Sequence, residues 1–433
     1  MDKLCLLQES HFSVAIRDPI WKHIWLTPEL HELMRTDEFC RLYRIKQLGP
    51  TEYVYPGATH TRAAHSIGVY HVALKILRVL LQRGADTWVS TTGCFSFLAA
   101  ALLHDLGHFP FTHSLKELPL SSHEELTANL ILSEPLKTCI GKAGADPYMT
   151  AAIICKQVET STGDSETVFF RNLLSGVLDP DKIDYLDRDA YYCGVPYGIQ
   201  DTDFILAKIL PDQAKGIVLD SRSIMAIESI LFSKYLMYRA VYWHKQVRIA
   251  TAMMKKTLYS ALAEKRIVAE ELYRQDDTGI FNLVEIPDFL NSEAASCLKS
   301  HTLYAVILEF PFDNNNTHIS LLENIDFRTE TESQIATYVS GICHIRILPS
   351  QIIIDIPEQI SFESELYLTD IHATFSKSTT IFSNDVIKKF VSSIRMVRIA
   401  IHPSYAYILT EFPFLQEQLA KYIGVGYTNT QGC

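Results

Sequence analysis

Residues Ala101–His113 read ALLHDLGHFPFTH. An apolar run from Phe95 to Leu103 ends in the adjacent pair His104–Asp105, and His108 follows one helical turn later. Side chains four apart share a helix face, so His104 and His108 are expected to point the same way, with Asp105 beside them. Gly107 and Pro110 then break the helix and carry the chain over to His113. Three imidazoles and a carboxylate at the mouth of a buried helix are costly to desolvate unless a metal or an anion pairs with them. The stretch predicts a mainly α-helical protein built round a polar centre.

Upstream, TEYVYPGATHTRAAHS (Thr51–Ser66) turns at Pro56–Gly57 into a helix over Thr61–Gln82. Its apolar residues Ile67, Val69, Val72, Ile76, Leu77, Leu80 and Leu81 have helical periodicity, and Arg62 and His65 stand at its start. Further back, alternation over Phe12–Arg17 suggests a strand, and capping signals suggest helices from Pro28 to Met34 and from Thr36 to about Gln47. Downstream, a helix capped near Ser121 or Ser122 begins with His123, Glu124 and Glu125, the acids suiting the positive end of its dipole. Gln157–Glu166 reads as an exposed loop. In DPDKIDYLDRDAYY (Asp179–Tyr192), Pro180 starts a helix that sets Asp181, Tyr185 and Asp189 at i, i+4 and i+8, flanked by Lys182 and Arg188. A long helix over about Ser223–Leu262 places Lys234, Tyr238 and Tyr242 every four residues, with Lys245 three later, as a ligand-facing stripe.

Beyond residue 265 the character changes. Thr302–Phe310, Ser350–Ile356 and Arg395–Ile401 read as strands and Asp313–Asn316 as a turn, with helices at about Pro287–Ser300 and Phe412–Ile423. The expected division is a catalytic region over 1–265, its core at about 60–190 and its long helix at about 223–262, followed by a smaller mixed α/β lobe over 266–433.

The 433 residues, 48% hydrophobic and 21% charged, are those of a globular protein with a sizeable core. A net charge of −11 argues against broad nucleic-acid or membrane binding, so an anionic substrate would need cations gathered in one cleft. Nine scattered cysteines without a CxxC pair support neither a zinc ribbon nor a redox motif and suit a reducing compartment. With no basic-then-apolar leader in MDKLCLLQES and no apolar run near the roughly 18 residues of a membrane span, a cytoplasmic protein is expected.

His65, His104, Asp105 and Asp181 come from three different helices. Two imidazoles and two carboxylates suit one divalent transition ion (Mn, Fe, Ni, Co or Zn) with positions left for water and substrate. Such an ion acidifies water and polarises a phosphoryl oxygen. His108, His113 and His123 are then placed to move protons or to hydrogen-bond a phosphate, with Glu124 beside His123 to orient it. Arg62, Lys182, Lys234 and Lys245 supply cations for a polyphosphate. Together these residues describe metal-assisted phosphoester hydrolysis.

The pattern H…HD…D at His65, His104–Asp105 and Asp181 resembles the signature of the HD-domain phosphohydrolases. The blocks IKQLGPTEYVYPGATHTRAAHS, HDLGHFPFTH, HEE at His123–Glu125, DPDKIDYLDRD, YLMYRAVYWHK and PSQIIIDIP resemble the deoxynucleoside triphosphate triphosphohydrolases, both the bacterial dGTPase-like enzymes and the eukaryotic ones in which a SAM domain precedes the HD domain. The resemblance implies an all-helical HD core with a smaller C-terminal α+β lobe, and hydrolysis of a dNTP to deoxynucleoside and inorganic triphosphate. It implies metal ligation by His65, His104, Asp105 and Asp181, and phosphate contacts from Arg62, Lys182, Tyr185 and Lys234. It gives Gln47 and Asp189 the sugar 3′-hydroxyl, and has Leu48 and Tyr242 close the sugar pocket against a 2′-hydroxyl. It further implies Mg with the nucleotide, an activating nucleotide, and a homo-oligomer (dimer or tetramer). Lys116 stands where relatives usually carry an acid; a one-residue shift is expected to bring Glu117 to that acid's place, with Glu124 beside His123 to orient an imidazole. The rival readings are an HD-type phosphodiesterase or nucleotidase acting on another nucleotide, and a non-catalytic nucleotide-binding scaffold.

Overall fold

The computed structural model describes residues 11–159, 164–360, 366–378 and 380–426. Residues 160–163 of the expected loop Gln157–Glu166 lie outside the described residues. The protein is mainly α-helical, with a smaller C-terminal α+β region.

The first strands among the described residues form an antiparallel hairpin, β1 (Val14–Asp18) and β2 (Lys22–Leu26), of which the alternation over Phe12–Arg17 announces only the first strand. After two short helices comes α1 (Arg62–Gln82), started by Thr61, whose side chain caps the amide of Ala64. By length and composition α1 could cross a membrane, although it holds no unbroken apolar run near 18 residues. However, 72% of its most apolar window is buried inside the protein, so its apolarity is that of a core helix. Beside it runs α2 (Thr91–Leu103), buried on nearly every face, which explains its continuous apolar sequence. α3 (His123–Ile131) begins with a capping box between Ser122 and Glu125. α4 (Pro180–Cys193) is capped by Asp179 and ends at Gly194 with φ 68°, a left-handed cap that favours glycine. Side chains of α1, α2 and α4 meet in one large core, to which Leu366, Leu368, Phe375, Phe382 and Ile394 also return.

The long helix expected over 223–262 is two helices, α5 (Ile224–Met237) and α6 (Lys245–Ala263), joined by a π-turn over Tyr238–Tyr242 and a break at Trp243–His244. The Trp243 amide reaches back to the Tyr238 carbonyl (2.8 Å), and the Ala240 carbonyl accepts instead from the Tyr55 hydroxyl (2.7 Å). His244 then caps α6 from an extended conformation. The register shift explains why a four-residue repeat of Lys and Tyr does not continue to Lys245.

The helix expected over 36–47 stops at Leu42, because Lys46 and Gln47 are drawn into extended pairing with Thr61 and His60. That expected over 287–300 starts only at Ser292; Asp288, at φ 57°, cannot continue a right-handed helix. In the C-terminal part, β3 (Ala305–Pro311), β4 (Ile352–Asp355) and β5 (Met396–Ile401) form an antiparallel sheet in the order β3–β5–β4. Helix α7 (Ile325–Cys343), which the sequence reading leaves unassigned, buries Ile335, Ala336 and Val339 in that region's core. A third cluster joins Phe109, Leu115 and Leu118 to α6 and the segments after it, tying the loop beyond α2 to the C-terminal half.

The turn after α2 depends on close packing against α3. A Cβ on Gly107 would fall 2.2 Å from the His123 carbonyl oxygen and 2.7 Å from the Thr127 amide, both rigid backbone. Gly107→Ala is expected to destabilise by about 1–3 kcal/mol through overpacking, lowering the denaturation midpoint. Gly141→Ala, where a Cβ meets nothing within 4 Å, is expected to leave it unchanged or slightly raised.

Candidate active site

The first turn of α1 and the first turn of α4 face each other across the C-terminal end of α2. His65, buried on α1, lies between two carboxylates of α4: Nε2 is 2.9 Å from Asp181 Oδ1, and Nδ1 is 2.9 Å from Asp184 Oδ2. α2 ends at Leu103, so His104 is its C-cap and does not share a continuous helix with His108. His104 Nδ1 lies 3.0 Å from the Ala101 carbonyl. A carbonyl only accepts, so this nitrogen carries the proton and Nε2 presents its lone pair. That Nε2 is buried without a hydrogen-bond partner, 3.7 Å from Asp181 Oδ1. One donor atom each from His65, His104 and Asp181 lies within 4.8 Å of the others.

The electrostatics of this cluster call for a cation. Burial alone would depress His65, but the hydrogen bonds it donates to Asp181 and Asp184 outweigh it and raise its pKa to about 10. Burial would raise Asp181, yet His104 and His65 hold it well below the usual carboxylate range. Two imidazoles and a carboxylate, with one imidazole nitrogen unpartnered, fit a divalent ion of the kind HD domains bind. Asp105, the fourth expected ligand, stands beside this three-residue group with its two oxygens facing different ways. Its Oδ2 accepts from Arg62 (2.7 Å), while Oδ1 lies 3.0 Å from His108 Nδ1 and 3.3 Å from His104 Nε2.

Next to this cluster the rings of His108, His113 and His123 pack together, with centroids 4.0 Å apart for His108–His123 and 4.8 Å for His108–His113. His108 Nε2 faces His113 Nε2 at 3.2 Å. Burial, then the Arg62 charge, pushes both His108 and His113 well below the usual imidazole range, and burial lowers His123 as well.

All of these groups except Asp184 line one cavity of about 410 Å³, the size of a small-molecule site. Its walls also include Gln47, Leu48, Arg62, Tyr185, Asp189, Tyr238 and Tyr242. Asp189 accepts from the Tyr242 hydroxyl through Oδ2 (2.7 Å) and lies 2.7 Å from His60 Nε2 through Oδ1. Gln47 Oε1 is buried there without a hydrogen-bond partner. Four expected residues do not line the cavity. Lys182 is held by Asp179 (2.6 Å) and the Gly176 carbonyl (3.0 Å), and Lys234 is buried on α5 away from the cavity lining. Lys245 pairs with Glu309 on β3 (3.4 Å), and Glu124, half exposed, touches His123 Nδ1 from outside at 3.3 Å. Lys116 does line the cavity, whereas Glu117 turns away to Lys255 (2.5 Å) and Arg328 and so does not take over the missing acid's place.

Asp184 and Arg41 escape the sequence reading, and Arg188 is named there only as a flanking cation. Asp184 sits three residues after Asp181, a spacing that shares a helix face as well as four does, and Arg188 grips both its oxygens (2.8 and 2.9 Å). Gly68 leaves the room for them: a Cβ there would meet Asp184 and Arg188 at 1.9 and 2.4 Å. Arg41 donates to the carbonyls of Leu106 (2.6 Å) and His108 (2.7 Å), bracing the turn that presents the histidines. Nothing local in the sequence pairs Arg41 with a loop some 65 residues away.

An outer carboxylate that holds a ligating imidazole in place typically contributes 10–100-fold to metal affinity. Asp184→Asn is expected to weaken Mn(II) binding by about that factor, measured by chelator competition, while Glu124→Gln leaves it unchanged.

The model for the HD domain matches residues 62–188, and that for the HD associated region matches residues 204–375. The uncharacterized protein YwfO of Bacillus subtilis is 36% identical over 250 residues, 57% of this chain and 55% of the relative. Deoxynucleoside triphosphate triphosphohydrolase SAMHD1 of Homo sapiens is 29% identical over 277 residues, 57% of this chain and 44% of the relative. The chain thus spans about half the length of these curated relatives. Among solved structures, a hypothetical protein from Aquifex aeolicus has the same fold, with a TM-score of 0.69 at 24% identity over 90% of this chain and 97% of that one. With His65, His104 and Asp181 gathered inside the matched segment, residues 62–188 form an HD domain, followed by an HD associated region over residues 204–375.

Proposed function

We propose that the protein hydrolyses deoxynucleoside triphosphates to deoxynucleoside and inorganic triphosphate. The observation that carries this reading is the sharing of one cavity by the His65–His104–Asp181 cluster and a polar pocket made of Gln47, Asp189 and Tyr242. The similarity to SAMHD1, whose name states that activity, supports it.

His65, His104 and Asp181 would hold the divalent ion, with Asp105 Oδ1 beside His104 as the fourth group. The bound ion supplies Lewis acidity toward a phosphoryl oxygen and toward water. Arg62, fixed by Asp105, sets a guanidinium against the phosphates in a buried setting where its charge is weakly screened. His108 and His113 face each other nitrogen to nitrogen, so one of the two carries a proton that the other accepts. A polyanion in the cavity would counter the effect of Arg62 and raise their proton affinity, readying one imidazole to protonate the departing 5′ oxygen. At the other end, Asp189 can accept from a sugar 3′-hydroxyl. Tyr242, pinned by its bond to Asp189, closes the space a 2′-hydroxyl would need.

A second reading, nucleotide binding without turnover, is favoured by one observation. Lys116 is close enough to help depress His113 and His123, and Glu117 is engaged elsewhere. Product analysis separates the readings. Protein loaded with Mn(II) and given dNTPs singly and mixed is expected to release triphosphate and deoxynucleoside in equal amounts. The matching ribonucleotide should be cleaved about 10–200-fold more slowly. Release of pyrophosphate or orthophosphate instead would point to a phosphodiesterase or nucleotidase. Tight dNTP binding without any product would point to the scaffold.

A further inference from the structure

We propose that the N-terminal hairpin is a working part of the metal centre, with Trp21 and Asp18 as positioning residues for His65. The hairpin lies about forty residues before the matched HD segment, and neither residue lines the cavity. The inference rests on the metal-binding reading of His65, His104 and Asp181, and is independent of which nucleotide is the substrate.

The connection runs through buried polar atoms. Asp18 closes the hairpin turn, its Oδ1 accepting from the amides of Ile20 (2.8 Å) and Trp21 (2.9 Å). That turn aims the indole inward, where Trp21 Nε1 donates to Asp184 Oδ1 at 2.5 Å. The other oxygen of Asp18 accepts from Arg188 Nη1 (2.8 Å), and Arg188 donates through Nε and Nη2 to both oxygens of Asp184. Asp184 and Arg188 have no exposed side-chain surface. Asp184 thus receives four hydrogen bonds, from the indole, the guanidinium twice and His65 Nδ1, which fill its acceptor sites. A carboxylate fixed in this way holds the His65 ring so that Nε2 points at Asp181. Without the indole donor, Asp184 Oδ1 keeps a bond only from Arg188, and without Asp18 the guanidinium loses its second anchor. Either loss frees the carboxylate to turn and His65 to swing.

The turn is also built for precision. The indole packs against His71 with centroids 5.6 Å apart, Lys75 lies over it, and Phe12, Ile24 and Leu26 anchor the flanking chain in the core. A two-stranded hairpin has little stability of its own, so its geometry is set by this docking.

The test measures Co(II) affinity by chelator competition, together with the visible Co(II) spectrum, for Trp21→Phe, Trp25→Phe and His65→Ala. Trp21→Phe keeps an aromatic ring and removes the N–H donor; Trp25 sits on the same hairpin with its ring partly in solvent. Trp21→Phe is expected to weaken binding about tenfold and shift the spectrum, with Trp25→Phe within twofold of wild type. Wild-type affinity in Trp21→Phe, or equal losses in both tryptophan variants, would overturn the inference. Should Trp21→Phe not yield folded protein by circular dichroism, Asp18→Asn carries the same expectation and the same refutation. Retention of Co(II) by His65→Ala would instead refute the metal-binding reading itself.

Discussion

One imidazole held between two carboxylates sets the architecture of this protein. His65 must reach Asp181 with one nitrogen and Asp184 with the other, which requires the first turns of α1 and α4 to face each other at a fixed distance. Burying that much charge is tolerated only when every member has a partner. The surrounding structure supplies them: Arg188 for Asp184, Asp18 for Arg188, and the turn amides of the hairpin for Asp18. Gly68 is the steric counterpart, because any side chain there would occupy the space of the Asp184–Arg188 pair.

A second set of constraints shapes the other wall. α2 delivers His104 at its last turn, and the chain then doubles back within a few residues to bring His108, His113 and, from α3, His123 into one cluster of tilted and edge-on rings. Arg41 holds the Leu106 and His108 carbonyls of that turn, and Thr127 bridges the Gly107 amide to the His104 carbonyl. The C-terminal part completes the cavity. After β4 the chain lays Glu358, Gln359 and Ile360 along it, and Arg248 of α6 is clamped there by Asp355 and Glu358. Glu117 links the histidine loop to both α6 and α7 through Lys255 and Arg328. The cavity is therefore a joint product of both halves of the chain, although the clustered histidines and Asp181 come from the first.

What was legible in the sequence follows from which interactions are local. The ends of α1, α2 and α4 carry their own caps and periodicity, so His65, His104 and Asp181 could be placed on them and expected to converge. Asp184 was hidden by a choice of period: counting by fours from Asp181 reaches Tyr185 and Asp189 and steps over the residue that orients His65. The break between α5 and α6 was hidden because a π-turn leaves the residue pattern intact while moving Lys245 onto another face. Arg41, Trp21 and the engagement of Glu117 depend on contacts between segments far apart in the chain, which no local spacing announces. α7 was missed because its outward face is rich in Thr, Ser and Glu, leaving few apolar positions to mark the period.

The central claim is that His65, His104 and Asp181 converge on one divalent ion at the base of the nucleotide-sized cavity. Anomalous diffraction at the Co edge, from crystals of the Co(II)-loaded protein, addresses it directly. The account predicts one strong peak per chain within bonding distance of His65 Nε2, His104 Nε2 and an Asp181 carboxylate oxygen, at about 2.0–2.2 Å. No peak among these three side chains, or a dominant peak elsewhere, would contradict it.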